Sequence, residues 1–304
     1  MSELVNNNNP SILFKYRDDS ENTEKIITDH KVWLSTADKL NDPLECRTGV
    51  VPLKLKNEII SQMEGGQLLG LMGMPFSSPS DTLYSLTPKQ TRQWRKRIKK
   101  LPHKRRVKAL RLLHDQHGIQ LSNPKKTFEV FEEQLRQVGI FSLSETADNE
   151  LMWAHYANSH EGIALGFERN SGNLLGNDVH TIPVEYKLDK PTFSGGASTV
   201  ASISKQDNGA LQSHVSFSLE DPTLRSSIST KTPSWDYEKE WRYVELSSGL
   251  FDFPGKLVKI VFGVNLSEER RNHYRKLVKL SGHSCQEAEM IIDDNSKLRL
   301  IDLK

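Results

Sequence analysis

The hydrophobic rhythm changes twice along this chain, near residue 54 and again near residue 138, and no single regular architecture accommodates both rhythms. On either side of that interval, short apolar or β-branched runs recur between turn residues, the pattern of strands. SILFKYR (11–17), KVWLST (31–36), GIFSLS (139–144), GIALGFE (162–168) and HTIPVEYKL (180–188) are predicted as extended segments. WRYVELS, KLVKIVFGV, SCQEAEMII and KLRLIDL follow toward the end of the chain. DDSENTEKIITDH offers Asp and Ser caps to a short helix, and two further helices are expected over ETADNELMWAHYANS and SEERRNHYRKLVKLSG.

Inside the interval, apolar residues fall at helical spacing in LKNEIISQM, TRQWRKRIKKL, RVKALRLLHDQ and FEVFEEQLRQV, with Gly, Pro and Ser clusters between them. Leu101-Pro102 breaks the second of these from the third, because proline cannot donate the hydrogen bond a helix interior needs. Residues 193–231 are rich in Ser, Gly and Thr without periodicity and read as loop with at most one helix. The expectation is an α+β fold, with a core built from 1–53 and 138–304 and a helical insertion over 54–137.

Composition narrows the function classes. The 304 residues are 36% hydrophobic and 26% charged, as in soluble globular proteins. No stretch has the roughly 18 apolar residues of a membrane span, and MSELVNNNNP lacks the basic and apolar regions of a signal peptide, so a cytoplasmic protein with no membrane partner is expected. Cys46 and Cys285 stand far apart and outside any CxxC pattern. The net charge of +2 conceals a block from Lys89 to Arg111, KQTRQWRKRIKKLPHKRRVKALR, without one acid. Such a block attracts phosphates, or else is a solvated helix face. Its candidate contacts are Arg92, Arg95, Lys96, Arg97, Lys99, Lys100, Lys104, Arg105 and Arg106, with Trp94 to stack on a base.

Four stretches carry more polar and aromatic specificity than packing needs. Arg17 ends a strand beside Tyr16, and a guanidinium grips phosphate through parallel hydrogen bonds. FSLS puts Ser142 and Ser144 on one strand face and Phe141 and Leu143 on the other. In NELMWAHYANSHEG a helix gathers Met152, His155 and Tyr156 on one side with Trp153 about 100° away, a cluster suited to a flat ligand or to a core. His155 and His160 are wrongly spaced for one helical face and lack a third ligand, so no metal is expected there. SWDYEKEWRYVEL, read as a strand, aligns Glu238, Glu240 and Arg242 on one side, two carboxylates side by side.

KYR, the LNDP turn, FSLSETADNELMWAHYANSHEGIALGF and WDYEKEWR, in this order, resemble the bacterial family catalogued as domain of unknown function 2971. The resemblance covers the first 50 residues and most of 139–246. The order of Arg17, Ser142-Leu143-Ser144 and Glu238-Lys239-Glu240 is also similar to the Arg, Ser-Thr-Ser, Glu-x-Glu signature of mono-ADP-ribosyltransferases, with Leu143 in place of the small hydroxyl residue. That second resemblance implies an ADP-ribosyltransferase-like mixed β core and NAD as the substrate, with no metal. Glu240 is then the carboxylate at the ribose and Glu238 the group that orients or deprotonates the acceptor. Arg17 and Tyr16, Ser142 and Ser144 bind NAD. Independently of the motif, ring chemistry suits Trp153 or Tyr156 to stack on nicotinamide, and His155 joins the cofactor-binding candidates. The basic insertion suits a nucleic-acid acceptor, RNA before DNA, or else a protein. A toxin or phage-defence effector fits, with an antitoxin or chaperone as a further partner. Two other classes stay open: a non-enzymatic nucleic-acid-binding protein, and a metal-dependent nuclease or hydrolase using Glu238, Glu240 and Asp42 or Asp148.

Overall fold

A computed structural model describes residues 9–73, 87–116, 119–192, 199–205 and 211–303. In chain order the elements begin with β1 (Ile12–Arg17), α1 (Glu21–Asp29), β2 (Lys31–Leu34), α2 (Leu53–Gly73), α3 (Pro88–Lys99), α4 (His103–Gln116) and β3 (Ile119–Gln120). Next come α5 (Thr127–Gln137), β4 (Gly139–Ser144), α6 (Glu150–Tyr156), β5 (Ile163–Glu168), β6 (Thr181–Pro183), β7 (Glu185–Tyr186), β8 (Thr199–Lys205) and β9 (Leu211–Phe217). The rest are α7 (Pro222–Ser229), β10 (Thr230–Lys231), β11 (Glu240–Glu245), β12 (Gly249–Asp252), β13 (Leu257–Phe262), α8 (Glu268–Leu280), β14 (Gln286–Ile292) and β15 (Leu298–Asp302). The chain divides into two units: 1–48 with 135–191 and 225–304, and 49–134 with 192–224. None of the described helices is long and apolar enough to cross a membrane.

The first unit is mixed α+β, built on an eight-stranded sheet in the order β15-β14-β13-β5-β1-β4-β11-β6. Only β13 and β14 pair in parallel; the other neighbours are antiparallel. Alternation sorts the side chains. Leu13, Phe141, Leu143, Leu165, Trp241 and Tyr243 face a core shared with Ile27 of α1 and Tyr274 of α8. Tyr16, Ala164, Val261 and Met290 face a second core with Met152 and Trp153 of α6. The helices start where polar caps stand: Ser20 accepts from Thr23 N before α1, Asn149 from Met152 N before α6, and Ser267 from Arg270 N before α8.

One irregularity of this sheet matters for function. β1 matches β5 over six positions and β4 matches β11 over six, yet β1 and β4 share one register pair, Phe14 with Ser144. The two strands part beyond it. The freed stretch of β4 is met by Ser35, just past β2, whose N–H donates to Ile140 O at 2.9 Å while its carbonyl accepts from Ile140 N at 2.8 Å. Gly162 lets the chain enter β5 tight against β1, since a Cβ there would lie 2.1 Å from the Arg17 carbonyl oxygen.

The second unit packs α2, α3 and α4 around Leu68, Ile98, Val107, Leu110 and Leu113. α3 ends at Lys99 and α4 begins at His103, with Pro102 between them as the sequence requires. Residues 192–224 belong to this unit, and they are not the loop expected there. They hold the β8–β9 hairpin and the start of α7. β9 pairs in parallel with β3, and Phe217 closes the arrangement by packing edge-on against Phe131 and exchanging hydrogen bonds with the Gln134 side chain. Serine-rich strands lack the alternation that would have announced them.

Candidate functional site

Glu240 opens β11 opposite Ser144, and Arg242 lies opposite Ser142. Cross-strand partners share a face, so all four belong to the α6 side of the sheet. Glu238 does not continue that alternation. It closes a 3-10 segment, Pro233–Glu238, and Lys239 then takes a left-handed conformation with φ of 43°, so the strand starts only at Glu240. Here the strand reading of 238 and 239 is corrected: the two carboxylates converge through a turn. Ser144 Oγ holds that turn by donating to Glu238 O at 2.7 Å.

The carboxylates belong to a buried chain of charges. Lys231 Nζ donates to Glu238 at 2.6 Å and to Glu240 at 3.2 Å. Arg242 grips Glu240 with two parallel bonds of 2.8 and 3.0 Å, and also donates to Glu45 and to the Ile228 carbonyl. Glu238, Glu240, Lys231 and Arg242 are each less than 5% exposed. Burial alone would raise the Glu240 carboxyl, but Arg242 and Lys231, with a hydrogen bond from Ser142, pull it down to about 2. Burial would likewise lower Lys231, yet Glu240, Glu45 and Glu238 hold it up and charged. Glu45 is pushed up by burial, beyond what Arg242 and Lys231 offset, and its second oxygen has no partner among the described residues.

A small cavity of about 60 Å3 opens onto this chain, lined by Lys15, Ser142, Tyr156, Lys231, Glu238 and Glu240 among others. That volume admits a few waters or one small polar group. Tyr156 donates to Glu238 at 2.6 Å and accepts from Asn41 of the LNDP turn; its hydroxyl is pushed up by burial and by that bond to Glu238. A second cavity of about 550 Å3 lies where β1 and β4 part, within the range of small-molecule sites. Its walls include Lys15, Arg17, Lys25, Lys31 and Trp33, with Asp29 as the one acid among the described lining residues. Lys15 and Ser142 line both cavities. Lys15 is half-buried and donates to the Ser142 carbonyl at 2.9 Å across the gap. Desolvation, with the Arg17 charge beside it, pushes its ammonium down to about 8 against the pull of Glu240 and Glu238.

Of the residues singled out in the sequence, Tyr16, Ser142, Tyr156, Glu238 and Glu240 gather at the smaller cavity. Tyr16 is almost wholly buried and donates to Thr146 O at 2.9 Å. Ser144 is buried beneath the turn it braces. Arg17 lines only the larger cavity, on the opposite sheet face from Glu240, and bonds Thr23 at 3.2 Å. Trp153 has no stacking role: it is fully buried, edge-on to Tyr16, with its indole N–H on Ala147 O. His155 is exposed and lines neither cavity.

In the basic block, Arg92, Lys96, Arg97, Lys99, Lys100, Lys104 and Arg105 are exposed, and Arg95 is half-buried with a partner of its own. Trp94 is not a free stacking platform, since its ring packs on the helical core under the Arg97 guanidinium. Arg106 is engaged at the break between α3 and α4, donating to Leu101 O at 2.6 Å and Lys99 O at 2.9 Å.

Residues 152–243 match the family described as protein of unknown function (DUF2971). The matched stretch carries Tyr156, Lys231, Glu238, Glu240 and Arg242, the acidic wall of the smaller cavity and the cations that hold it. No curated protein and no solved structure matches this chain.

Lys15, Lys231, Glu45 and Asn41 were not singled out from the sequence. Lys15 carried a signal: in β1 it alternates with Leu13 and Arg17 on a strand face whose neighbours are core, and a cation on such a face needs a purpose. Lys231, in STKTPS, carried none.

Proposed function

We propose that this protein is an NAD-dependent mono-ADP-ribosyltransferase, a bacterial toxin or phage-defence effector whose acceptor is nucleic acid, RNA before DNA, or protein. One observation carries the reading. An ionised carboxylate, Glu240, stands on the wall of a small cavity beside a larger cationic chamber, with Lys15 and Ser142 common to both. The larger chamber suits an adenosine diphosphate group. Arg17, Lys25 and Lys31 answer the diphosphate, and Trp33, 62% exposed, offers a ring for the adenine. Only the reacting end of NAD then has to meet the smaller cavity, whose volume excludes the whole dinucleotide.

The chemistry follows from charge. The bond between ribose C1′ and the nicotinamide nitrogen breaks with its electron pair leaving on that nitrogen, which departs neutral. Positive charge develops on the ribose, and a carboxylate kept ionised by Arg242 and Lys231 stabilises it without reorganising. The acceptor's lone pair closes on C1′, and its proton passes to Glu238, which Tyr156 and Lys231 hold in place. The metal-dependent alternative meets an obstacle in these side chains: Lys231 already bridges Glu238 and Glu240, the seat a divalent ion would take. Among the described residues no group of three His, Cys, Asp or Glu is arranged to hold a metal.

The test is incubation of purified protein with NAD labelled in the adenylate, offered separate pools of RNA, DNA and protein. Label should enter one pool with release of nicotinamide, and Glu240→Gln should lose at least a hundredfold of both, with folding verified by circular dichroism. Intact NAD after prolonged incubation with all three pools refutes the reading.

A further inference from the structure

The helical unit contains a groove of its own. α2 and α4 flank an opening of about 720 Å3, and the 3-10 turn at Pro124–Lys126 borders it. On α4 the side chains Lys104, Lys108 and Arg111 stand at i, i+4 and i+7, one stripe along the helix. Lys125 joins them from the turn, where Asn123 accepts from Lys125 N at 3.2 Å and from Arg111 at 3.4 Å. Four permanent cations thus line the groove against one carboxylate, Glu64 of α2. Lys104, Lys108 and Lys125 are exposed and have no acidic partner among the described residues. Cations on a surface are ordinarily interspersed with acids, and four that converge on a single carboxylate leave an excess positive potential that attracts an external polyanion.

We infer that this groove seats the phosphate backbone of single-stranded nucleic acid. The stripe is linear: 1.5 Å of rise per residue spaces Lys104 and Lys108 about 6 Å apart along the axis, which answers a repeating charge better than one compact anion. A cleft between two helices admits one strand, whereas a duplex spreads its phosphates over a convex rod. Among the described lining residues the groove has no Phe, Tyr or Trp and one exposed ring, the His103 imidazole, against four cations, so it reads chiefly backbone charge. Lys125 lies outside the basic block, and Lys108 and Arg111, within it, are not among its candidate contacts, while Trp94 packs on the helical core and Arg106 is engaged at the break between α3 and α4. The groove supplies a seat for the acceptor that the transferase reading calls for, yet as a binding site it requires no NAD.

The experiment is fluorescence anisotropy of a labelled single-stranded RNA of mixed sequence with the full chain, without NAD, across a salt titration. Three proteins are compared: wild type, Lys104→Glu/Lys108→Glu/Lys125→Glu, and Lys276→Glu/Lys279→Glu/Lys297→Glu, which makes the same charge change at exposed lysines of the other unit. With a slope of about 0.7 per neutralised phosphate on single strands, the groove variant should lose roughly 2 from the slope of log K against log salt. Its affinity at low salt should fall more than tenfold, and the control less than threefold. Hydrolysis of NAD to ADP-ribose and nicotinamide with no nucleic acid or protein acceptor present is measured separately; it does not involve the groove, so failure of the chemistry and failure of the groove are told apart. Equal losses in the two variants, or competition by inorganic polyphosphate or an acidic peptide at equal charge as effective as by RNA, would overturn the assignment.

Discussion

Replacing Arg242 by methionine tests the buried charge chain directly. The guanidinium is wholly inaccessible and carries the two bonds to Glu240, the bond to Glu45 and the bond to the Ile228 carbonyl. Methionine fills much of the space but leaves two buried carboxylates with Lys231 as their remaining cation. Removing one partner of a buried ion pair costs about 3–5 kcal/mol, chiefly because the other charge stays buried. With a urea dependence of about 3 kcal/mol per molar, the midpoint should fall by about 1 M or more. A Trp94→Phe background restricts tryptophan fluorescence to the first unit, which holds Trp33, Trp153, Trp235 and Trp241. Adding Glu240→Gln to Arg242→Met should recover a good part of the loss, since the stranded charge is then gone. The pH dependence has a fixed sign. Glu240 is held near 2 in the fold against an ordinary value of 4.5, so its stabilisation is complete above about pH 4.5 and vanishes as pH falls toward 2. The gap between wild type and Arg242→Met should therefore narrow over that window. A gap below about 1 kcal/mol at pH 7, or one unchanged at pH 3, contradicts the reasoning.

Lys15 gives a second pH signature on the alkaline side. Its ammonium loses its proton near 8, so the affinity of the larger chamber for ADP should fall as pH rises from 7 to 9 in wild type and stay level in Lys15→Met; calorimetric titration checks this, and a flat wild-type profile counts against it. Gly162→Ala forces a Cβ to within 2.1 Å of the Arg17 carbonyl, backbone against backbone. A cost of about 1–3 kcal/mol is expected, lowering the melting temperature of the first unit by several degrees; an unchanged transition in differential scanning calorimetry would show that β1 and β5 yield more easily than their six-position register implies.

What the sequence disclosed and what it concealed divide along physical lines. Ser142-Leu143-Ser144 obeyed strand alternation, Leu143 entering one core while the serines faced the other side. Pro102 ended a helix where its missing N–H requires. Trp153 and Trp94 misled because an aromatic residue on an amphipathic helix has the same spacing whether it meets a ligand or its own core. Glu238 misled because a left-handed Lys239 interrupts the strand, a conformation that lysine does not announce. The charge chain was concealed for another reason. Glu45, Lys231 and Arg242 come from three separate segments, and only the pairing of β11 with β4 and the path of β10 bring them within bonding distance.

Because one ammonium forms part of both chambers in the sheet-based unit, their occupancies are not independent. An anion that engages Lys15 from the larger side keeps it protonated and neutralises part of the field felt by Glu238 and Glu240; displacing it toward the carboxylates has the converse effect. Thermodynamic reciprocity then requires each compartment to sense the other's contents across a single strand spacing, a coupling achieved without any hinge or moving lid.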